Sequence, residues 1–245
     1  MKLDGLEGRV AIITGSARGI GRATADVFCE NGAIVVINDI DDLLLSQAEG
    51  EMVDRGFRVA SVKADVSSRD GAASLVSETI NRFGRLDILI NNAGIIQWSR
   101  FEEISETDWD KMLAVNLKSV FLMSHSCVPY LKKQGGGKIV NIGSSAGKKP
   151  TPACPHYAAS KSGVMSLTLS LAAELAPFNI NVNAVAPAII DTQMFESVEK
   201  PEKLVPLRRM GSPEDVAYAV AFLCSDNASF LTGEIVDVNG GLIMD

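Results

Sequence analysis

Thr14-Gly15-Ser16-Ala17-Arg18-Gly19-Ile20-Gly21 is the stretch that decides the fold of this 245-residue chain. An apolar run over 9–14 leads into it, and a helical pattern over 20–31 leads away. Glycines let a strand turn tightly into a helix and let the backbone approach a ligand, while the helix start offers free N–H groups and a positive dipole. Glycines alone signal only a tight turn. With a strand before, a helix after and an acid at the end of the next strand, the pattern reads as a dinucleotide site. The acid is Asp39, closing Ile34-Val35-Val36-Ile37-Asn38-Asp39. A carboxylate there accepts hydrogen bonds from ribose hydroxyls and repels a 2′-phosphate, which favours NAD(H). Arg18 pulls toward NADP(H), because a cation in the turn can reach such a phosphate. Asp39 outweighs it here, since Ile40, Asp41 and Asp42 follow it rather than Arg or Lys.

Outward from this stretch, short apolar runs alternate with longer helical patterns. Strands are predicted over 9–14, 34–38, 58–63, 86–91, 138–142, 180–186 and 234–238. Helices are predicted over 20–31, 42–55, 69–83, 106–132, 157–176 and 213–224, the last opened by Ser212-Pro213-Glu214, a cap followed by proline. Several strands are nearly continuous apolar runs, as expected when helices cover both faces of a parallel sheet. No linker, repeat or charge block interrupts the alternation, so residues 1–245 read as one α/β domain. The irregular stretches 143–156 and 187–211 follow strands and therefore belong at the carboxyl edge of the sheet, where ligands bind.

Composition narrows the partners. A chain 47% hydrophobic and 22% charged is that of an ordinary globular protein, and a net charge of -7 argues against nonspecific nucleic-acid binding. Cys29, Cys127, Cys154 and Cys224 form no CxxC or Cys/His spacing, so reduced thiols and no metal site are expected. No run approaches the ~20 apolar residues needed to cross a bilayer. The apolar run 10–13 is too short for a signal-peptide core. A cytoplasmic protein with no membrane partner is the expectation.

Two further motifs, Asn91-Asn92-Ala93-Gly94 and Tyr157-Ala158-Ala159-Ser160-Lys161, join the glycine turn in order and spacing. Together they make the chain resemble the short-chain dehydrogenase/reductase family, from Leu6 to Val238-Asn239-Gly240-Gly241. The resemblance implies a single-domain Rossmann fold, a doubly wound seven-stranded parallel sheet, and a homotetramer. It implies hydride transfer between a nicotinamide cofactor and a carbonyl or secondary alcohol. For the cofactor it implies Gly15, Ser16, Arg18, Gly19, Ile20, Gly21 and Asp39, with Asp65 and Val66 beside the adenine and Asn92, Ala93 and Gly94 after the fourth strand. Beyond the sixth strand, Pro187 and Thr192 match the family, Ile190 would offer its backbone to the carboxamide, and Ala188 replaces the usual glycine. That methyl group is expected to alter the loop or narrow the pocket.

Tyr157 and Lys161, four apart, share one helix face. Tyrosine, with a reference pKa of about 10, is a poor base at neutral pH, and a nearby ammonium is expected to favour its phenolate. Ser144, thirteen positions earlier, can hydrogen-bond the substrate oxygen; Ser145 competes, and the family spacing favours Ser144. Asn116, polar on an apolar helix, reads as a satisfied core residue or a local bend, while the resemblance implies a fourth catalytic member relaying protons through water and Lys161. Cofactor contacts from Tyr157 and Lys161 are implied as well. His125 and His156 lack a serine or cysteine partner at a sharp turn, which disfavours a hydrolase triad. Cys154, Trp98, Met194 and Phe195 are candidate pocket residues.

Within the family the chain is most similar to 3-oxoacyl-(acyl carrier protein) reductases. Gly135 and Phe178 stand where arginines for an acidic carrier are expected, and the segment 194–210 is short for a lid. An NAD-dependent dehydrogenase of a small secondary alcohol, sugar, hydroxyacid or steroid is the alternative. A dinucleotide-sensing protein without turnover is the alternative of another class, disfavoured by the complete Asn116, Ser144, Tyr157, Lys161 set.

Overall fold

A computed structural model describes residues 3–151, 154–193, 203 and 205–244. Seven strands form one parallel sheet: β1 (Val10–Thr14), β2 (Ile34–Asp39), β3 (Val59–Lys63), β4 (Ile88–Asn91), β5 (Gly137–Ile142), β6 (Ile180–Pro187) and β7 (Ile235–Val238). Their order is β3-β2-β1-β4-β5-β6-β7, and every pairing is parallel. The chain winds outward from β1 to one edge, then from β4 to the other. The crevice between β1 and β4 is therefore the topological switch point, where this class of sheet binds ligands.

Strand side chains alternate between two cores. Ala11, Ile13, Val35, Ile37, Ile88 and Ile90 pack with α1 (Gly19–Glu30), α2 (Asp42–Asp54) and α7 (Pro213–Cys224). Ile12, Val36, Leu89 and Ile139 pack on the opposite face with α3 (Arg69–Phe83), α5 (Ser119–Lys133) and α6 (Pro155–Leu175). A buried polar ladder fixes α6 to that second face. Asn91 donates to Asn141 Oδ1 at 2.8 Å, and Asn141 donates to Thr168 Oγ1 at 2.9 Å. Buried polar groups are costly unless paired, so this ladder sets the register of α6 against β4 and β5.

The helix predicted over 106–132 is not continuous. α4 (Glu106–Leu113) and α5 are joined by one π turn, Ala114–Lys118, in which Ser119 N–H reaches back to Ala114 O. That i→i+5 bond inserts one extra residue into the helix and places Asn116 inward. Of the two readings for Asn116, bend and satisfied core residue, both hold. Among the described residues no helix is long and apolar enough to cross a membrane. No cluster of His, Cys, Asp and Glu there could hold a metal.

Candidate active site

The nucleotide end is built around glycines that nothing else can replace. Gly15 has φ +61, and a Cβ on it would stand 2.8 Å from Ala93 Cα. On Gly21 a Cβ would come within 2.5 Å of both Asn92 Nδ2 and Gly15 O. The turn after β1 and the turn after β4 are thus interlocked. Asn92 Nδ2 donates to Thr14 O and Gly15 O, each at 2.8 Å, and the N–H groups of Asn92 and Ala93 donate to Thr14 Oγ1 at 3.0 Å. Sequence reasoning gave Thr14 no role; its signal was a lone hydroxyl at the end of an apolar strand.

α1 starts without a capping side chain, Arg18 occupying its N-cap, whereas α2, α3, α4 and α7 are each capped by an Asp or Ser. Uncapped first-turn N–H groups beside Gly19 suit a pyrophosphate. On this observation the residues present fit a dinucleotide. Ser16 takes part differently from the glycines: its hydroxyl, fully buried, donates to Ile13 O at 2.7 Å and accepts from Asn38 N–H at 3.0 Å. Its N–H donates to Asn38 O at 2.9 Å as well, so both donors of Ser16 are held within the fold. Arg18 extends to Gln193 Oε1 at 2.7 Å, toward the loop after β6. Ile20 sits half-buried in the first turn of α1. At the adenosine end, Asp39 Oδ1 accepts the N–H groups of Ile40 at 2.8 Å and Asp41 at 3.2 Å. Asp65 Oδ1 accepts both the N–H and the hydroxyl of Ser67, at 2.9 and 2.6 Å. Val66 is buried in the α3-side core, so its backbone alone could meet a base.

Tyr157 and Lys161 lie in the first two turns of α6, and Ser144 ends the extension of β5. All three are at least 92% buried: Ser144 is 8% exposed, Tyr157 8% and Lys161 5%. Ser144, rather than Ser145, acts on the Tyr157 phenol, favouring its charged form. Its Oγ also accepts from Ala146 N–H at 3.1 Å. Lys161 Nζ donates to Ile142 O at 2.8 Å and sits 5.8 Å from the centre of the Tyr157 ring.

Burial, not the neighbouring lysine, dominates the titration of this pair. It raises the Tyr157 phenol to about 12, with Cys154 adding to the rise and the Ser144 hydrogen bond opposing it. It also lowers Lys161 to about 8. From sequence the ammonium is expected to draw the phenol down, and that expectation is overturned for the protein alone. The reason is desolvation: a buried site disfavours the charged form of both groups.

Asn116, fully buried, is saturated by protein. Its Oδ1 accepts Ile95 N–H at 2.8 Å, and its Nδ2 faces Ile95 O at 2.9 Å and Ser160 Oγ at 3.1 Å. Ser160, which sequence reasoning passed over, donates in turn to Tyr157 O at 2.7 Å. Gly94 stands between the two centres: a Cβ there would lie 3.4 Å from Asn116 Oδ1 and 3.5 Å from Lys161 Nζ. Asn92, Ala93 and Gly94 are all half-buried along this wall.

Beyond β6, Pro187 is buried and Ala188 N–H donates to Val238 O at 3.3 Å. Ala188 does not carry a positive φ, so the family glycine is not required conformationally at this position. Ile190 is 3% exposed and forms a bridge with Gly211, while Thr192 Oγ1 lies 3.5 Å from Ile190 O. Cys154 packs with Met112 and Tyr157 rather than opening onto a cavity. Trp98 is 42% exposed; Met194 and Phe195 lie outside the described residues. His156 is buried with neither ring nitrogen hydrogen-bonded, and His125 stacks near Phe121 at 5.7 Å. No triad forms around either ring among the described residues.

Residues 15–243 match the family model described as enoyl-(acyl carrier protein) reductase. A 3-oxoacyl-(acyl-carrier-protein) reductase of Thermotoga maritima is 42% identical over 250 residues, covering 98% of this chain and 99% of that protein. A (2S)-((R)-hydroxy(phenyl)methyl)succinyl-CoA dehydrogenase subunit of Thauera aromatica is 40% identical, covering 97% of each. Among solved structures, a 3-ketoacyl-(acyl-carrier-protein) reductase from Brucella melitensis, complexed with NADH, superposes with TM-score 0.94 at 36% identity. That match covers 98% of this chain and 100% of the other.

Proposed function

This chain belongs to the short-chain dehydrogenase/reductase family, and from that premise we propose how its residues divide the chemistry of an NAD(P)-dependent oxidoreductase. When bound, the nicotinamide supplies or receives the hydride at C4, opposite a ketone or secondary alcohol carbon. Tyr157 gives a proton to the carbonyl oxygen in reduction and takes it back in oxidation. Ser144 holds the same oxygen through its hydroxyl, which is buried beside the phenol it acts on. Lys161 anchors on Ile142 O and keeps its remaining donors for the cofactor ribose. Asn116 clamps the loop at Ile95, and with its side chain engaged it can serve a water only through its main chain. The observation that carries this reading is the burial of Ser144, Tyr157 and Lys161 together, with Lys161 one helical turn along α6 from Tyr157.

The preferred cofactor is NAD(H). Both main-chain hydrogen bonds of Asp39 fall on Oδ1, which leaves Oδ2 for a ribose hydroxyl, and Arg18 is drawn to Gln193. The substrate class that fits the resemblance best is a 3-oxoacyl or 3-hydroxyacyl thioester. A dehydrogenase of smaller alcohols is the second reading, favoured by Phe178 and Gly135 in place of carrier-docking arginines, though Lys132 Nζ does stand 3.7 Å over the Phe178 ring. Absorbance of reduced nicotinamide, with NADH and NADPH against acetoacetyl-CoA and a ketone and alcohol panel, tests both parts. NADH is expected to be preferred, and Asp39→Ser should raise the NADPH-to-NADH ratio of kcat/KM at least about tenfold. A wild-type preference for NADPH would refute the role given to Asp39.

Assembly as a homotetramer follows the same reading. Tyr218, Phe222 and Phe230 are exposed on and after α7, and Trp109, Phe121 and Leu169 on α4, α5 and α6, across the sheet. Two separate apolar faces on one chain suit two distinct two-fold contacts, hence four subunits. Light scattering should give four times the 26.1 kDa chain mass; a monomer or a simple dimer would argue against it.

A further inference from the structure

The turn that carries Ser144 is a single 3-10 turn, Ser145–Gly147, closed by Lys148. Its start is fixed to the sheet, where Gly143 N–H donates to Val185 O at 2.8 Å. Its flank presses on α6: Gly147 O accepts the Ser162 hydroxyl at 2.8 Å, and a Cβ on Gly147 would stand 2.8 Å from Ser162 N. The far end is held by a charge. Lys148 Nζ lies 2.6 Å from Asp237 Oδ2, on the edge strand β7, two strands away from β5.

Val236 and Val238 pack toward the α1 and α7 side, so Asp237 between them points to the α6 face. Both members of the ion pair are largely withdrawn from water, with side chains 17% and 21% exposed. Asp237 Oδ1 is buried and has no hydrogen-bond partner. A half-buried pair is a poor way to stabilise a strand, because desolvation offsets most of the attraction. It is a good way to fix a position, since a short charged contact between two largely buried groups leaves little play, and losing the Lys148 ammonium would strand Asp237.

We propose that Asp237, acting through Lys148, is a positioning residue for Ser144, so that the edge strand sets where the catalytic hydroxyl stands relative to Tyr157. The inference rests on the reading of Ser144 and Tyr157 as the reacting pair. The linkage is short and stiff. Gly147 N–H closes onto Ser144 O at 3.0 Å, and Lys148 N–H onto Ser145 O at 3.1 Å, so a shift at Lys148 moves the whole turn. Misplacing a reacting group by about 1 Å can cost on the order of 100-fold in rate.

Steady-state ketone reduction with NADH, on a ketone that the wild-type protein turns over, tests this with Lys148→Met, Asp237→Asn, their double variant and Ser144→Ala as reference. Either single variant is expected to lose at least about tenfold in kcat while KM for NADH stays within about twofold. The double variant should be no worse than the weaker single, because both remove one linkage. Should a single variant fail to fold, the charge-swapped pair Lys148→Asp with Asp237→Lys is expected to recover both folding and turnover. Normal kcat in both singles beside an inactive Ser144→Ala would overturn the inference alone. So would losses that multiply in the double variant, or a lower Tm with kcat per folded enzyme unchanged. An active Ser144→Ala would instead remove the catalytic reading beneath it.

Discussion

Tyr157→Phe is expected to fold, bind cofactor and lose turnover, with kcat falling by about 10²–10⁴-fold. Only a hydroxyl is removed from a ring that is already buried among Met112, Cys154 and Ile95, so the packing survives. What disappears is the hydroxyl proposed to exchange a proton with the substrate oxygen. The pH dependence of the wild-type protein has a definite sign. With the phenol raised to about 12 by burial, the proton-bearing form dominates at neutral pH, so ketone reduction should change little between pH 6 and pH 8. Alcohol oxidation needs the phenolate and should climb across the same range, helped by the positive charge of the oxidised cofactor. Rates followed in both directions on the wild type and on Tyr157→Phe check this. More than a tenth of the wild-type kcat in the variant would remove Tyr157 from the mechanism.

Gly21→Ala is expected to disable the nucleotide end as thoroughly. Its methyl group would stand 2.5 Å from Asn92 Nδ2 and Gly15 O, and neither is free to retreat. Gly15 O is backbone inside the turn, and Asn92 Nδ2 donates to both Thr14 O and Gly15 O. Forcing a methyl group into such a site costs about 1–3 kcal/mol, roughly 2–10 °C in Tm for a chain of this size. The strain falls on the β1–β4 crevice itself, so NADH affinity should weaken at least about tenfold. Fluorescence titration with NADH and thermal unfolding measure the two effects. Unchanged NADH affinity would show that the crevice does not cradle the nucleotide.

Much of the architecture was legible because of how parallel sheets bury themselves. Strands covered on both faces are largely apolar, and the runs Val10–Ile13, Ile34–Ile37 and Ile88–Ile90 read that way from residue to residue. Asp39, Tyr157 and Lys161 were legible for a different reason, since each is a polar residue at a strand end or helix face with a defined spacing. What escaped was whatever depends on distant partners. Thr14 and Ser160 look ordinary until the turns they bridge are in place. The rise in the Tyr157 pKa is a matter of desolvation, which no local pattern reports. Asp237 sits 89 positions from Lys148, and nothing near either residue announces the other. Ala188 looked like a departure with a structural cost, yet the backbone there needs no glycine.

The π turn between α4 and α5 also went unread, because an extra residue in a helix leaves no mark on its composition. One residue is looped into the cylinder at 114–118 and Asn116 faces inward because of it. A single deletion there would close the turn to regular i→i+4 bonds, leaving the helices on either side nearly in place but removing the inward bulge that carries Asn116. α5 would still meet α3, and Ile95 would lose its clamp. The number of residues between α4 and α5, as much as their identity, therefore decides whether an amide reaches the loop at Ile95.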